Sequence, residues 1–352
     1  MKRNLSQRPI NSSYYKSTHE IPQKIKRHNT GMSIIMIPQV TSDSTPEFNH
    51  SPPLALNEQT EEYVGKLLVC SETINLIPSS EEKNNVLMLN HYDLRKEIVY
   101  QMKLNEAKVE GVEEVKVDER MRAVLIDWMI DASETFEFCA DTLFTSVAIL
   151  DRFCGRKEVV VMDLQLVGTT SMFIASKLHE RSRPSINNFV LISNNLFTDE
   201  AIFNMEILIL RTLNYSLPLQ HPLTFLDCYW EEIKEWVKSN KKEIKYLGKI
   251  LDASIFVYNF VMYLLYLSLI DHRIVKYPPS LVFAGALLVV VKEIGLEWEL
   301  EEIINYKKHK LQECYNLIKE ATNREYVHSA HKKFGLERYM RISKTSECPC
   351  IY

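Results

Sequence analysis

The chain is short of the residues that punctuate a fold. Of its 352 residues only 9 are glycine. Architectures made of many short strands need frequent Gly-rich turns, so this scarcity argues against them and for an all-α protein. Apolar runs of membrane-spanning length are also missing. The nearest candidate, 255–270, carries Asn259 and three tyrosines and leads directly into Asp271-His272-Arg273. It falls short of the 18 or more residues of a membrane span and reads as a core helix, with no membrane partner. The 7 cysteines are odd in number and scattered, without a Cys-x-x-Cys pair. That pattern fits reduced core thiols of the cytosol or nucleus better than a disulfide framework. No excess of positive charge exists: the formal net charge is -4, which argues against general nucleic-acid binding. The opening MKRNLSQRPI lacks the apolar core of a secretory signal.

The motifs of catalysis are absent too. There is no Gly-rich phosphate loop, no Gly-x-Ser-x-Gly and no His-Glu-x-x-His. His328 and His331 are a lone pair at helical spacing and read as surface residues, so no metal is expected. No cofactor is implied either. A helical chain with no clustered titratable groups points to a binding protein and not to an enzyme.

What is present falls into unequal parts. Residues 1–85 hold seven of the 13 prolines and no tryptophan. Seven basic residues stand against one acid up to Ser42, and five acids against no base from Asp43 to Glu62. Such a segment buries too little apolar surface to offset its ordering entropy, so a disordered regulatory tail is expected. Within it, Thr45-Pro46 and Ser51-Pro52 offer hydroxyls for proline-directed phosphorylation, and Lys24-Ile25-Lys26-Arg27 is a short basic cluster of the nuclear-import kind. Residues 86–117 contain a helix from Val86 to Glu106 with Leu94, Ile98 and Met102 on one side, followed by a charged linker.

Residues 118–217 read as five helices: 121–138, 141–153, 164–180, 185–189 and 199–213. The third is the organising element. Leu164 to Glu180, LQLVGTTSMFIASKLHE, is apolar or small on nearly every face, which places it inside a bundle. Asp163 is its expected N-cap and Pro184 its expected stop. Only its ends are strongly polar. On the first helix, Ala123, Ile126 and Ile130 make an inward face, while Met121, Val124, Leu125 and Trp128 make a second apolar stripe. Residues 218–335 repeat the plan with helices at 223–237, 243–257, 261–269, 279–293 and 299–322. A small-residue helix, 283–291, is again central. Residues 336–352 are expected to be a polar tail, as is the stretch from Lys332.

The run Met121-Arg122-Ala123-Val124-Leu125-Ile126-Asp127-Trp128 resembles the opening of the cyclin box. Leu150-Asp151-Arg152-Phe153, Leu164-Gln165-Leu166-Val167-Gly168, Ala175-Ser176-Lys177 and Met205-Glu206 with Leu210 follow in the family's order. Ser268-Leu269-Ile270-Asp271-His272-Arg273 and Lys276-Tyr277-Pro278-Pro279-Ser280-Leu281 resemble the C-terminal domain of mitotic, B-type cyclins. The resemblance covers about Asp93 to Gly335. It implies two tandem five-helix domains and a non-catalytic subunit that activates a cyclin-dependent protein kinase in mitotic cell-cycle control, in nucleus and cytoplasm.

The resemblance further implies an internal ion pair, Arg122 with Asp151, and a core position at Leu166. Kinase contacts are implied at Lys177 and Glu206, with Glu180, Ile98, Met102 and Leu210. Substrates and inhibitors bearing Arg-x-Leu segments would dock on Met121, Val124, Leu125 and Trp128, with Gln165 at the rim and Asp131 receiving the basic residue. Asp131 stands where Glu is commoner, which shortens reach. After Lys177 the chain departs from the family, with Leu178-His179-Glu180 and then Ser182-Arg183-Pro184, so contacts to a kinase activation segment do not carry over. The tail has no Arg-x-x-Leu and no Lys-Glu-Asn. A transcription-class cyclin or another cyclin-fold adaptor is the alternative reading.

Overall fold

The computed structural model describes residues 91–108, 115–240, 253–295, 306, 308–322 and 328–344. The basic cluster at 24–27 and the phosphorylation candidates Thr45 and Ser51 lie outside the described residues. Eleven α-helices and no strand occur among the described residues. They are α1 (His91–Lys108), α2 (Glu119–Phe136), α3 (Ala140–Arg156), α4 (Val161–His179), α5 (Ile186–Ile192) and α6 (Asp199–Thr212). The second set is α7 (Pro222–Ser239), α8 (Ala253–Ile270), α9 (Pro279–Glu293), α10 (Lys308–Ala321) and α11 (His328–Phe334). α1 belongs to a unit separate from the other helices and is described by itself. On it Met102 and Val99 are buried while Ile98 and Tyr100 are exposed.

In the first bundle α4 packs against α2, α3, α5 and α6. Leu164 and every residue from Val167 to Ser176 are buried. Thr169 and Ser176 satisfy their hydroxyls within the helix, by bonds of 2.8 Å to the carbonyls of Gln165 and Phe173. Those internal bonds let small polar residues sit in an apolar surround. The helix starts at Val161, three residues earlier than expected. Asp163 lies inside the first turn and Val160 is the N-cap, without a side-chain bond. Asp163 therefore favours the helix start through its charge near the dipole. The far end stops at His179, well short of Pro184. Thr198 caps α6, accepting from the Ala201 amide at 3.1 Å.

The first correction concerns Leu125. At about 100° per residue, the buried residues of α2 span one half of its circumference, and Leu125 falls inside that half. Its side chain rests on Gly168 of α4, where an added Cβ would lie 3.0 Å from Leu125 Cδ1. Leu166 is a second correction: it is half-buried, whereas Leu164 and Val167 on either side of it are core.

In the second bundle α9 packs against α7, α8 and α10, and α8 also reaches α2 and α11. The expected break between 257 and 261 does not exist. α8 is one helix from Ala253 to Ile270, since no glycine or proline interrupts it and Asn259 is buried within it. It is the one helix among the described residues long and apolar enough to cross a membrane by length and composition, and 72% of that span is buried. The polar stretch from Lys332 is a third correction. Lys333, Phe334 and Ile342 are buried, and α11 packs against α2. Residues 241–252 and 299–305 lie outside the described residues.

Candidate functional site

Arg122 and Asp151 are both buried and meet as a fork. Arg122 Nε lies 2.7 Å from Asp151 Oδ1 and Nη2 lies 2.8 Å from Oδ2. Arg122 Nη1 donates to the Ile270 carbonyl at 3.2 Å, so one guanidinium joins α2, α3 and the end of α8. A planar five-donor group suits this; a lysine does not.

The C-terminal end of α4 carries the second cluster. Lys177 Nζ donates to both oxygens of Glu206 on α6, at 2.6 and 2.8 Å. The same ammonium lies 3.9 Å above the Phe173 ring, and the Phe203 ring meets Phe173 edge-on at 6.1 Å. Phe203 and Ile207 are each 47% exposed. Phe203, Glu206, Ile207 and half-buried Leu210 recur at i, i+3, i+4 and i+7, which is one face of α6. An ion pair set among exposed apolar side chains is a surface suited to a protein partner. Phe203 and Ile207 were not singled out from the sequence, although their spacing opposite buried Ile202 and Ile209 carried the signal.

Glu180 turns back into the fold. It accepts from the Thr142 hydroxyl at 2.5 Å and the Cys139 amide at 2.9 Å, tying the end of α4 to the start of α3. His179 Nε2 lies 2.9 Å from the Thr145 hydroxyl.

The third cluster runs along α2. Met121 and Val124 are each 36% exposed, and Trp128, Asp131 and Gln165 are partly exposed. Asp131 is already engaged: Lys332 of α11 lies 3.2 Å from its Oδ1. Asp127, one turn earlier, accepts from the Ser329 amide at 2.8 Å and hydroxyl at 2.9 Å. Burial pushes the Asp127 carboxyl above its usual range, and the Ser329 bonds oppose that. Glu134 pairs with Lys333 at 2.6 Å and Arg338 at 2.8 Å. A cavity of about 670 Å³ opens here, lined by Asp131, Glu134, their basic partners and Tyr266.

The histidine pair at 328 and 331 needs correcting. His331 is half-buried, with Nδ1 2.8 Å from the Tyr263 hydroxyl; only His328 is exposed. Elsewhere Glu119, Asp271 and His272 bring ligand-type atoms within 4.8 Å of one another. Both Asp271 oxygens are held by Arg273, at 3.1 and 2.9 Å, which makes this an ion-pair cluster.

The described helices make a two-domain, all-helical protein. The family description "Cyclin, N-terminal domain" matches residues 90–218, and "Cyclin, C-terminal domain" matches residues 221–348. The chain belongs to the cyclin family. It is 30% identical over 263 residues to the G2/mitotic-specific cyclin-B2 of Rana japonica, covering 72% of this chain and 61% of that protein. It is 30% identical over 247 residues to the G2/mitotic-specific cyclin-2 of Medicago sativa, covering 67% and 68%. The G2/mitotic-specific cyclin-B of Emericella nidulans is 31% identical over 231 residues, covering 64% and 44%. The chain thus spans less than two thirds of the length of the frog and fungal relatives. Among solved structures, a viral cyclin from herpesvirus saimiri shares the fold, with a TM-score of 0.50 at 21% identity, covering 64% of this chain and 97% of that one.

Proposed function

We propose that this chain binds and activates a cyclin-dependent serine/threonine kinase, acts in mitotic cell-cycle control, and divides its time between nucleus and cytoplasm. The observation that carries the reading is the exposed apolar face of α6 around the Lys177–Glu206 pair. Phe203, Ile207 and Leu210 offer area to a partner, and the two charges offer register. The chain supplies no catalytic group. It acts by binding preferentially the kinase conformation in which the kinase's own Lys–Glu pair is formed, and so shifts the population toward it. The test is direct. Purified chain is mixed with a cell-cycle kinase and histone phosphorylation is measured. Activation is expected, together with its loss in the Lys177→Ala, Glu206→Ala double variant. An inactive mixture, or full activation by the double variant, would overturn the proposal.

A second surface serves substrates in this reading. Exposed Met121 and Val124, with Trp128, offer an apolar seat for the leucine of an Arg-x-Leu segment, and buried Leu125 supports its floor. Trp128→Ala is expected to lose such substrates while retaining kinase binding. Equal loss of both would assign Trp128 to packing.

A further inference from the structure

The circumference of α2 divides into three sectors. Taking about 100° per residue, roughly half is buried in the bundle, a second arc carries Met121, Val124 and Trp128, and the acids form the rest. Asp127, Asp131 and Glu134 recur at i, i+4 and i+7, and Asp131 borders the apolar arc. Each acid is met by the C-terminal segment: Asp127 by Ser329, Asp131 by Lys332, and Glu134 by Lys333 and Arg338.

These three contacts differ in kind. The Lys333 side chain is 9% exposed, donates to the Tyr266 hydroxyl at 2.7 Å and lies 4.4 Å over that ring. It is fixed by packing. The Lys332 side chain is 72% exposed, and among the described residues its one ion pair is with Asp131. An exposed pair of this sort is weak and exchangeable with solvent and with other cations. The contacts of Ser329 with Asp127 and of Lys333 with Glu134 keep the backbone of Lys332 beside α2, so its ammonium stays within reach of Asp131.

We propose that Lys332 is a specificity-determining residue of the docking surface. It rests on the docking reading above. An incoming Arg-x-Leu segment has to exchange its own cation for Lys332 at Asp131. The gain from the segment's basic residue is therefore reduced by the pair it breaks, and the apolar arc decides a larger share of the selection. Segments whose basic residue is replaced by a neutral one lose less on this chain than they would on a surface with an open acid.

Two fluorescently labelled peptides test this, one with Arg-x-Leu and one with Ala-x-Leu, titrated by anisotropy into the full chain and its variants. Lys332→Ala and Lys332→Gln are expected to bind the Arg peptide about two- to five-fold tighter and the Ala peptide unchanged. Adding Asp131→Asn is expected to remove the difference. An Arg-to-Ala penalty equal in the parent chain and both Lys332 variants would overturn the proposal while leaving the docking surface standing. If neither peptide bound any form, the docking reading would be overturned and this inference with it. Urea unfolding of each variant confirms that exposed Lys332 was removed without loss of the fold.

Discussion

Arg122 and Asp151 are joined by two hydrogen bonds of 2.7 and 2.8 Å with 2% and 9% of their side chains exposed. Two charges this deeply placed tolerate each other's presence far better than each other's absence.

Arg122→Ala would leave the Asp151 carboxylate buried without a cation and the Ile270 carbonyl without its donor. A loss of about 3–5 kcal/mol in urea unfolding is expected. Arg122→Lys keeps a charge but not the fork, so most of the loss should remain. Replacing both partners, as Arg122→Met with Asp151→Leu, removes the stranded charge and should recover much of it. A single-variant loss below about 1 kcal/mol would mean the pair is solvated in solution.

Much of this arrangement was legible in the sequence, because burial on all sides leaves a plain mark: α4 has no polar stripe. Leu125 was harder. It lies four residues after Met121 and three before Trp128, so spacing rules admit it to the outer stripe. What turns it inward is Gly168 on another helix, a neighbour that no local period reveals. The C-terminal segment misled for the opposite reason. Its lysines and arginine read as solvated, yet Lys333 is buried because Glu134 and Tyr266, distant in sequence, receive its ammonium. Charge in a sequence does not announce its partner. Asp127, Asp131 and Glu134 stood at helical spacing, but nothing local linked them to residues some two hundred positions later.

Gly168 makes that close approach testable. An added Cβ would meet Leu125 Cδ1 at 3.0 Å, Cδ2 at 3.2 Å and Cγ at 3.3 Å. Leu125 is buried between helices and has little room to move. Gly168→Ala is expected to cost about 1–3 kcal/mol in thermal or urea unfolding. Combined with Leu125→Ala, which makes the missing space, it should cost less than the sum of the two single losses. Strict additivity would show that the strain is taken up elsewhere. The same variant should weaken docking at Met121 and Val124, since α2 would be displaced from beneath them.

His221 sets a pH dependence of known sign. It stands just before α7, 2% exposed, with Nε2 3.4 Å from Asp141 Oδ1 and Nδ1 without a hydrogen-bond partner among the described residues. The rings of Phe144 and His179 flank it at 5.7 and 6.5 Å. Burial lowers its pKa from 6.5 to about 4; Asp141 pulls upward and His179 downward, neither enough to reverse it. The unfolded chain therefore takes up a proton near pH 6.5 that the native chain refuses until about pH 4. Stability from this residue is complete above pH 6.5 and falls as the pH drops through that window. The expected loss between pH 7 and pH 5 is about 2 kcal/mol. Other groups titrate over the same range, so the comparison is with His221→Gln, which cannot take the proton. Urea unfolding of the parent chain should steepen toward acid relative to that variant. Parallel curves would mean that in solution the ring is hydrated, or that it holds its proton against Asp141 in the native state as readily as in the unfolded one.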